Sequence, residues 1–324
     1  MEKLHLYLTL YQKPLSFWEL LKVTDAYGSD LINLLNQELN SKRVLYKNYK
    51  FYLSEKTRKE TKPFYHPDLK SEYDLYLKCV KQRPEVNELF WQDYLSPESV
   101  LTRVKFLISH ADIQNKRVLI LGDDDLLSIF LAATGLPKEV VVIEIDEAVL
   151  DYIDSVATKH KLKIKTISYN AAEPLPSNLI GKVDTFITEP VETIFGLKAC
   201  LSRGAQSLVP NGSLYFGLSR IDSTLKKWYE IQKMLNQMNL CITDLVKGIG
   251  KYKDPKAEPE YYQHLFLSKK INFPLTTPTL DFYDSAFIRC KAVGKAKPLI
   301  KGSVKFNKSF YQDNSVMTMY LDKE

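Results

Sequence analysis

The chain has 324 residues, 45% of them hydrophobic and 26% charged, which is the composition of a globular protein long enough for two domains. No run approaches the roughly 18 apolar residues that a membrane span needs, and the N-terminus lacks the cationic start and apolar core of a signal peptide. With neither feature present and four scattered cysteines that are expected to be free thiols, we expect a cytoplasmic protein that binds no membrane. The net charge of +6 is mild and does not indicate a nucleic-acid partner.

Residues 1–57 are predicted to form a small domain of the winged-helix type. Apolar residues recur at helical spacing over residues 15–23, with Ser16 as a cap, and again over residues 31–39. Residues 43–53 alternate as two strands around a Lys-Asn turn. Helices followed by a β-ribbon are typical of a winged helix, which is a known DNA-binding shape.

The second predicted helix of this domain argues against DNA binding. Residues 30–39 contain two acids and no Lys or Arg. Because phosphate contacts supply most non-specific affinity for DNA, we expect this domain to serve packing or dimerisation, and the protein to be a homodimer.

Residues 58–72, with three Lys, two Pro and one Arg, are predicted to be a linker, and residues 73–295 a second domain. In this domain buried strands alternate with helices, which predicts an α/β fold with a mostly parallel, Rossmann-like sheet of the class I methyltransferase type. Residues 241–246 and 285–290 are candidates for its last strands. Residues 250–280 are expected to be an insertion or lid, and residues 296–324 a basic C-terminal tail. The predicted strands cover residues 116–121, 139–143, 163–167, 183–188 and 213–218, and the helices residues 126–134, 148–157, 194–208 and 223–238.

In such a sheet, ligands bind outside the carboxyl ends of the strands. The first strand ends in Gly122, Asp123, Asp124 and Asp125. A dinucleotide site would have glycines here, so that the helix N-terminus can approach a pyrophosphate. Three aspartates would instead repel a phosphate. The acidic turn favours a cationic ligand, a sulfonium or an amine. The alternative is that Asp124 or Asp125 only caps the next helix.

Three further polar residues are predicted to bind the cosubstrate. Glu144 and Asp146 stand about 20 residues after Gly122, where an acid accepts hydrogen bonds from ribose hydroxyls. A role at the helix N-terminus is the alternative for Asp146, but it fits Glu144 poorly. Asn170 follows the third strand, where such folds often contact adenine.

The fourth strand ends in Glu189, Pro190, Val191 and Glu192. Two carboxylates beside a turn stiffened by proline would hold an amine and take its proton as it attacks carbon. The alternative is a capped helix start, since proline favours the first helical turn.

The four cysteines are scattered, with no pair spaced for a metal or for redox chemistry, so neither a metal nor a redox cofactor is implied.

These motifs resemble those of the branched-chain polyamine synthases, the N4-bis(aminopropyl)spermidine synthases. The hallmark of that family is the Gly-Asp-Asp-Asp turn at residues 122–125. The likeness spans about residues 83–244, and the family also has an N-terminal winged-helix domain. Its other motifs match residues 83–85, 95–98, 134–138, 186–188, 202–205, 215–218 and 228–232.

The resemblance implies transfer of aminopropyl groups from decarboxylated S-adenosylmethionine to an internal nitrogen of a polyamine such as spermidine. The products would be a branched polyamine and methylthioadenosine. It also implies roles for residues: the three aspartates would hold the donor's ammonium end and orient the amine, with Asp125 the first choice for the base. Asp124 and Glu189 would join it in catalysis, and the polyamine would be bound by Glu189, Glu192 and Gln92.

Two features depart from the family. Glu189 and Val191 stand where the family usually has Asp and Pro, and residues 251–260 replace an acidic segment that carries a tryptophan. Either departure would change the amine that is accepted, or the rate.

Two other functions fit parts of the sequence. A methyltransferase that uses S-adenosylmethionine would keep the ribose-binding acid, but its first loop is normally rich in glycine. A DNA-binding regulator would need a basic recognition surface, which the sequence does not provide.

Overall fold

The computed structural model describes residues 3–24, 26–66, 68–87, 90, 92–252, 271–273, 282–306, 308–311 and 313. Its N-terminal unit consists of three helices followed by an antiparallel pair of strands. Ser16 and Glu19 form a reciprocal capping box at the start of the second helix. These elements are α1 (Lys3–Gln12), α2 (Phe17–Thr24), α3 (Gly28–Asn40), β1 (Val44–Lys47) and β2 (Lys50–Leu53).

The predicted linker, residues 58–72, is largely helical. Helix α4 (Glu55–Thr61) begins at the cap Ser54 and packs against α1, to which Arg58 donates a hydrogen bond at the carbonyl of Tyr11. Helix α5 (Lys70–Val80) begins before the linker was predicted to end. The segment predicted as a linker is therefore helical at both ends, and its first helix buries Thr61.

The second domain is built on a mixed sheet of seven strands, in the order β5-β4-β3-β6-β7-β9-β8. The first five strands in that order are parallel, and β9 runs antiparallel to both β7 and β8. The prediction of an α/β fold with a mostly parallel sheet is confirmed. The strands are β3 (Arg117–Leu121), β4 (Glu139–Glu144), β5 (Ile164–Ser168), β6 (Val183–Thr188), β7 (Leu208–Ser219), β8 (Leu240–Lys251) and β9 (Asp284–Ala292).

Helices cover both faces of the sheet and bury one apolar cluster on each. One cluster packs under α5 to α8, and the other under α9 and α10. In the part of the chain that the structure describes, no helix is both long and apolar enough to cross a membrane. These helices are α6 (Pro97–Ser109), α7 (Leu127–Ala133), α8 (Glu147–His160), α9 (Ile194–Ser207), α10 (Leu225–Gln237) and the short α11 (Lys308–Tyr311).

The segment predicted as a C-terminal tail begins as a packed part of the domain. The fully buried guanidinium of Arg203, on α9, donates hydrogen bonds to the carbonyls of Lys301 and Gly302, at 3.3 and 2.9 Å. It also reaches Ala171 and Ala172 after β5. A buried cation needs such partners, so residues 301–302 are held rather than free. Residues 253–270, 274–281 and 314–324, which include most of the predicted lid and the last part of the tail, lie outside the described residues.

Candidate active site

The loop after β3 turns sharply and points its aspartates in different directions. Gly122 has a φ of +77°, a conformation that glycine adopts without strain. Both carboxylate oxygens of Asp123 accept the backbone N–H of Ser128, at 3.2 Å. Asp123 therefore fills the capping role that the sequence offered for Asp124 or Asp125.

Asp125 is buried and fixed in place. Its Oδ1 accepts the backbone N–H of Leu95 at 2.7 Å, and its carbonyl accepts the hydroxyl of Tyr76 at 2.9 Å. By contrast, no hydrogen bond from a described residue reaches the half-buried carboxylate of Asp124. Asp124 is thus left to bind a ligand.

The three aspartates hold their protons more strongly than isolated carboxyls do. Burial raises the pKa of Asp123 well above its usual range, and burial together with the charge of Asp125 does the same for the pKa of Asp124. Burial raises the pKa of Asp125 to about 6, although Arg103 and the N–H of Leu95 work against it. A cationic ligand would relieve this crowding of negative charge.

Glu144 joins the ends of β3 and β4. Its Oε2 accepts the N–H of Asp123 at 2.9 Å, and its Oε1 accepts those of Ile145 and Asp146 at 2.7 and 3.0 Å. Burial raises the pKa of Glu144 despite these bonds. Since each carboxylate oxygen has two lone pairs, Oε2 can accept one more hydrogen bond, as a ribose hydroxyl would offer.

Asp146 and Gln92 lie together. The Oδ1 of Asp146 caps α8 by accepting the N–H of Ala148, and its Oδ2 accepts the Nε2 of Gln92 at 2.9 Å. The Oε1 of Gln92 accepts the N–H of Asn87 at 2.7 Å. Gln92, predicted as a polyamine ligand, is thus bound to a residue predicted to bind the cosubstrate.

Asn170 is exposed in the loop after β5 and closes an Asx turn by accepting the N–H of Ala172 at 2.9 Å. The N–H of Tyr169 donates to the carbonyl of Glu144 at 2.8 Å. Asn170 is therefore tied to the same edge of the sheet as Glu144.

Glu189 is engaged at both oxygens. Its Oε1 forms an ion pair with Arg103 of α6, and its Oε2 accepts the hydroxyl of Tyr252 at 2.8 Å. Burial raises the pKa of Tyr252 well above its usual value, so this phenol remains a donor. Sequence reasoning missed both partners. Arg103 had left a signal, since helical spacing places it on the buried face with Val100 and Val104.

Glu192 joins the loop after β6 to the end of β7. Its oxygens accept the N–H and Oγ of Ser219, at 2.6 and 2.8 Å, and the Oγ of Ser223 at 3.1 Å. Burial raises the pKa of Glu192 to about 7. None of these hydrogen bonds leads to the aspartate loop.

The carboxyl ends of β3, β4 and β6 are neighbours in the sheet, so the three acidic motifs of the sequence meet at one edge. This acidic edge, defined by residues 122–125, 144–146 and 189, combines carboxylates of raised pKa with one buried cation, Arg103. Such an arrangement can bind a cation and accept a proton from it.

Comparison with protein families gives one match over most of the chain. Residues 72–318 match the model described as the branched-chain polyamine synthase A C-terminal domain. The N(4)-bis(aminopropyl)spermidine synthase of Thermococcus kodakarensis is 32% identical over 246 residues, which are 75% of this chain and 68% of that protein. The enzyme of the same name from Methanocaldococcus jannaschii is 38% identical over 198 residues, 59% of this chain and 57% of that protein.

A solved structure is similar over nearly the whole chain. The branched-chain polyamine synthase of Thermus thermophilus, in complex with N4-aminopropylspermidine and 5′-methylthioadenosine, is 25% identical with a TM-score of 0.70. The match covers 98% of this chain and 93% of that one. The likeness therefore extends to the N-terminal unit as well as to the sheet.

Proposed function

Because this chain belongs to the branched-chain polyamine synthase family, we propose that it moves aminopropyl groups from decarboxylated S-adenosylmethionine to a polyamine such as spermidine. These matches confirm the family resemblance that the acidic strand ends indicated. The chain is a transferase that yields a branched polyamine and methylthioadenosine.

One observation of the structure carries this proposal: the Asp124 carboxylate has a raised pKa and accepts no hydrogen bond from a described residue. Both substrates are cations at neutral pH, because aliphatic amines titrate near pH 10. A cation at Asp124 would relieve the repulsion from Asp125. S-adenosylmethionine itself carries a carboxylate, which this loop would repel, and this speaks against the methyltransferase alternative.

The donor would lie across the ends of β3 and β4. Glu144 would accept a ribose hydroxyl at Oε2, and the bend at Gly122 lets the backbone approach the nucleoside. Asp123 and Asp146 would support the donor site by capping α7 and α8. Asn170 would lie at the edge of this site, beside the adenine.

Asp125 is the group that we assign as the general base. It takes a proton from the bound ammonium of the acceptor, and the freed lone pair attacks the aminopropyl carbon next to sulfur. The C–N bond forms as the C–S bond breaks, and its electron pair neutralises the sulfonium to give methylthioadenosine. With its pKa at about 6, Asp125 is largely ionised at neutral pH, as a base must be.

The polyamine-binding residues predicted from sequence remain predictions. Asp124 accepts no hydrogen bond from a described residue, whereas Glu189 already has the cation Arg103 beside it and Glu192 accepts three hydrogen bonds from Ser219 and Ser223. Gln92 would then act indirectly, by orienting Asp146.

The N-terminal unit is proposed to be a winged-helix module that serves packing or dimerisation in a cytoplasmic homodimer. Three helices followed by an antiparallel ribbon support the type. On α3, Glu38 is buried and bound by Tyr7 and Lys3. The face of α3 that carries Glu38 thus packs against α1 within the unit.

The test is to incubate the purified protein with spermidine and either decarboxylated or intact S-adenosylmethionine, and to analyse the products by mass spectrometry with fragmentation. We expect one or two aminopropyl additions at the internal nitrogen, and methylthioadenosine, only with the decarboxylated donor. Methylated spermidine from the intact donor would contradict the proposal.

A further inference from the structure

Arg103 is a buried cation among the carboxylates of the acidic edge. Its side chain is 2% exposed and forms an ion pair with Glu189. Its Nη2 lies 3.1 Å from the Oγ of Ser285, and its Cζ lies 4.6 Å from the ring centre of Phe287. Strand β9 and the loop after β6 thus fix the position of this guanidinium, which helix α6 supplies.

The partner of Arg103 is also fixed. The Glu189 carboxylate lies against the backbone of β7 at Gly217, where a Cβ atom would come within 1.9 Å of Oε2. Tyr252 occupies that same oxygen through its hydroxyl. Glu189 therefore reaches its ion pair only because residue 217 is glycine.

The pair stands beside the proposed base. Leu95, whose N–H binds Asp125, forms a β-bridge with Tyr252. A Cβ at Gly250 would meet both the Nη2 of Arg103, at 2.5 Å, and the side chain of Leu95, at 3.3 Å. Residues 250–252 thus contact the ion pair, and they pair with Leu95, whose N–H holds Asp125.

On the basis of the proposed function, we propose that Arg103 is a positioning residue for aminopropyl transfer. It keeps Glu189 out of the set of carboxylates that bind the amine, and together with Glu189 it sets the electrostatic field at Asp125. Glu189 is then also a positioning residue rather than a ligand of the polyamine.

The two partners act on Asp125 in opposite directions. Burial is the largest influence and raises its pKa, Arg103 lowers the pKa, and Glu189 raises it. The other groups that face Asp125 are the acids Asp123 and Asp124, the cation Arg83, and the neutral phenols Tyr76, Tyr94 and Tyr252. Since only the ionised carboxylate is a base, the pKa of Asp125 sets the acid limb of the rate profile.

The experiment measures kcat/KM against pH for wild type, Arg103→Met, Glu189→Gln and the double variant. We expect Arg103→Met to move the acid limb to higher pH and Glu189→Gln to move it to lower pH, with the double variant close to wild type. A displacement by one unit changes the rate on the acid side about tenfold. A purely structural role would not produce shifts of opposite sign.

Two further variants keep the test decisive if Arg103→Met does not fold. Arg103→Lys retains the charge, so its acid limb should stay near that of wild type. Arg289→Met removes another arginine of the domain interior, partly buried and bound to Asp112 and Tyr215, and should lower stability without moving the limb.

Steady-state constants separate the two possible roles of Glu189. At a pH where Asp125 is fully ionised, we expect Glu189→Gln to leave the KM for spermidine within about twofold of wild type. An increase of tenfold or more, equivalent to the loss of about 1.4 kcal/mol of binding, would make Glu189 a polyamine ligand and overturn the proposal. Shifts of the same sign, or none, in both single variants would overturn it too. Absence of transfer by wild type would instead refute the proposed function.

Discussion

Two arginine–carboxylate–tyrosine groups lie under α6 on one face of β9, and they differ in what surrounds them. Arg103, Glu189 and Tyr252 border the acidic edge, whereas Asp112 is bound by Arg289 and Tyr215, at 2.8 and 2.5 Å. Phe287 lies between the groups and contacts Arg103 and Tyr215.

The two groups differ in the direction in which the pKa values of their carboxyls are shifted. Burial opposes ionisation of Asp112, but Arg289 and Lys291 outweigh it and lower its pKa. At the acidic edge the aspartates outnumber the cations, and their pKa values are raised. A carboxylate paired within the protein stabilises the fold. One left unpaired costs stability and is available to a ligand.

The largest effect is expected at the base. Asp125→Asn should lower kcat by about 10²- to 10⁴-fold, the range for loss of a general base. The folded-state pKa is raised to about 6, so the ionised group destabilises the protein above that pH. The melting temperature at pH 7.5 should therefore be equal or higher, as differential scanning fluorimetry will measure.

The control for this variant is Asp151→Asn, on the exposed side of α8, which should behave like wild type. Turnover by Asp125→Asn at the wild-type rate would remove Asp125 as the base and leave Asp124 to be tested in the same way.

The next largest effect is expected at Asp112, where substitution should lower stability and leave activity unchanged. Asp112→Asn should lower the free energy of unfolding by about 3 kcal/mol at pH 7, because Arg289 loses its buried counter-charge. Since the pKa of Asp112 is lowered in the folded state, this loss should shrink as the pH falls below about 4. Urea unfolding followed by circular dichroism measures both quantities.

Here too the control is the exposed Asp151→Asn, with an expected change below about 0.5 kcal/mol. The folded fraction of Asp112→Asn should retain wild-type kcat. A stable but inactive Asp112→Asn variant would show that the Asp112 group serves catalysis rather than stability, and would contradict the comparison.

A smaller effect is expected for the donor. Glu144→Gln replaces a charged acceptor by a neutral one, at a cost of about 1.5 kcal/mol. The KM for decarboxylated S-adenosylmethionine should then rise about tenfold while kcat stays within about twofold. Initial rates at saturating spermidine give both constants. A lower kcat with unchanged KM would assign Glu144 to the chemical step instead.

Most of the sheet could be predicted from sequence, because β3 and β4 contain continuous apolar runs and β6 buries Val183, Phe186 and Ile187 before its acidic end. Helix α1 could not. Its leucines alternate with other residues at strand-like spacing, yet Leu6, Tyr7, Leu8 and Leu10 are all buried, because the helix is covered on more than one side.

In the site, the acidic motifs were predictable and their partners were not. The contacts of Glu189 depend on Arg103 and Tyr252, which lie 86 and 63 residues away along the chain. The motif at residues 202–205 was recognised by resemblance alone. The structure explains it, since Arg203 binds carbonyls and a Cβ at Gly204 would come within 2.5 Å of the Phe186 ring.

Arg203 also constrains how the chain matures during synthesis. The ribosome delivers it 99 residues before Gly302, one of its carbonyl acceptors. Until that residue emerges, the guanidinium lacks part of the hydrogen bonding that its burial requires. We therefore expect helix α9 to dock incompletely until then, with part of the apolar face beneath it exposed to chaperones. A chain cut short before Lys301 is therefore expected to be less stable than the full chain and more open to proteolysis.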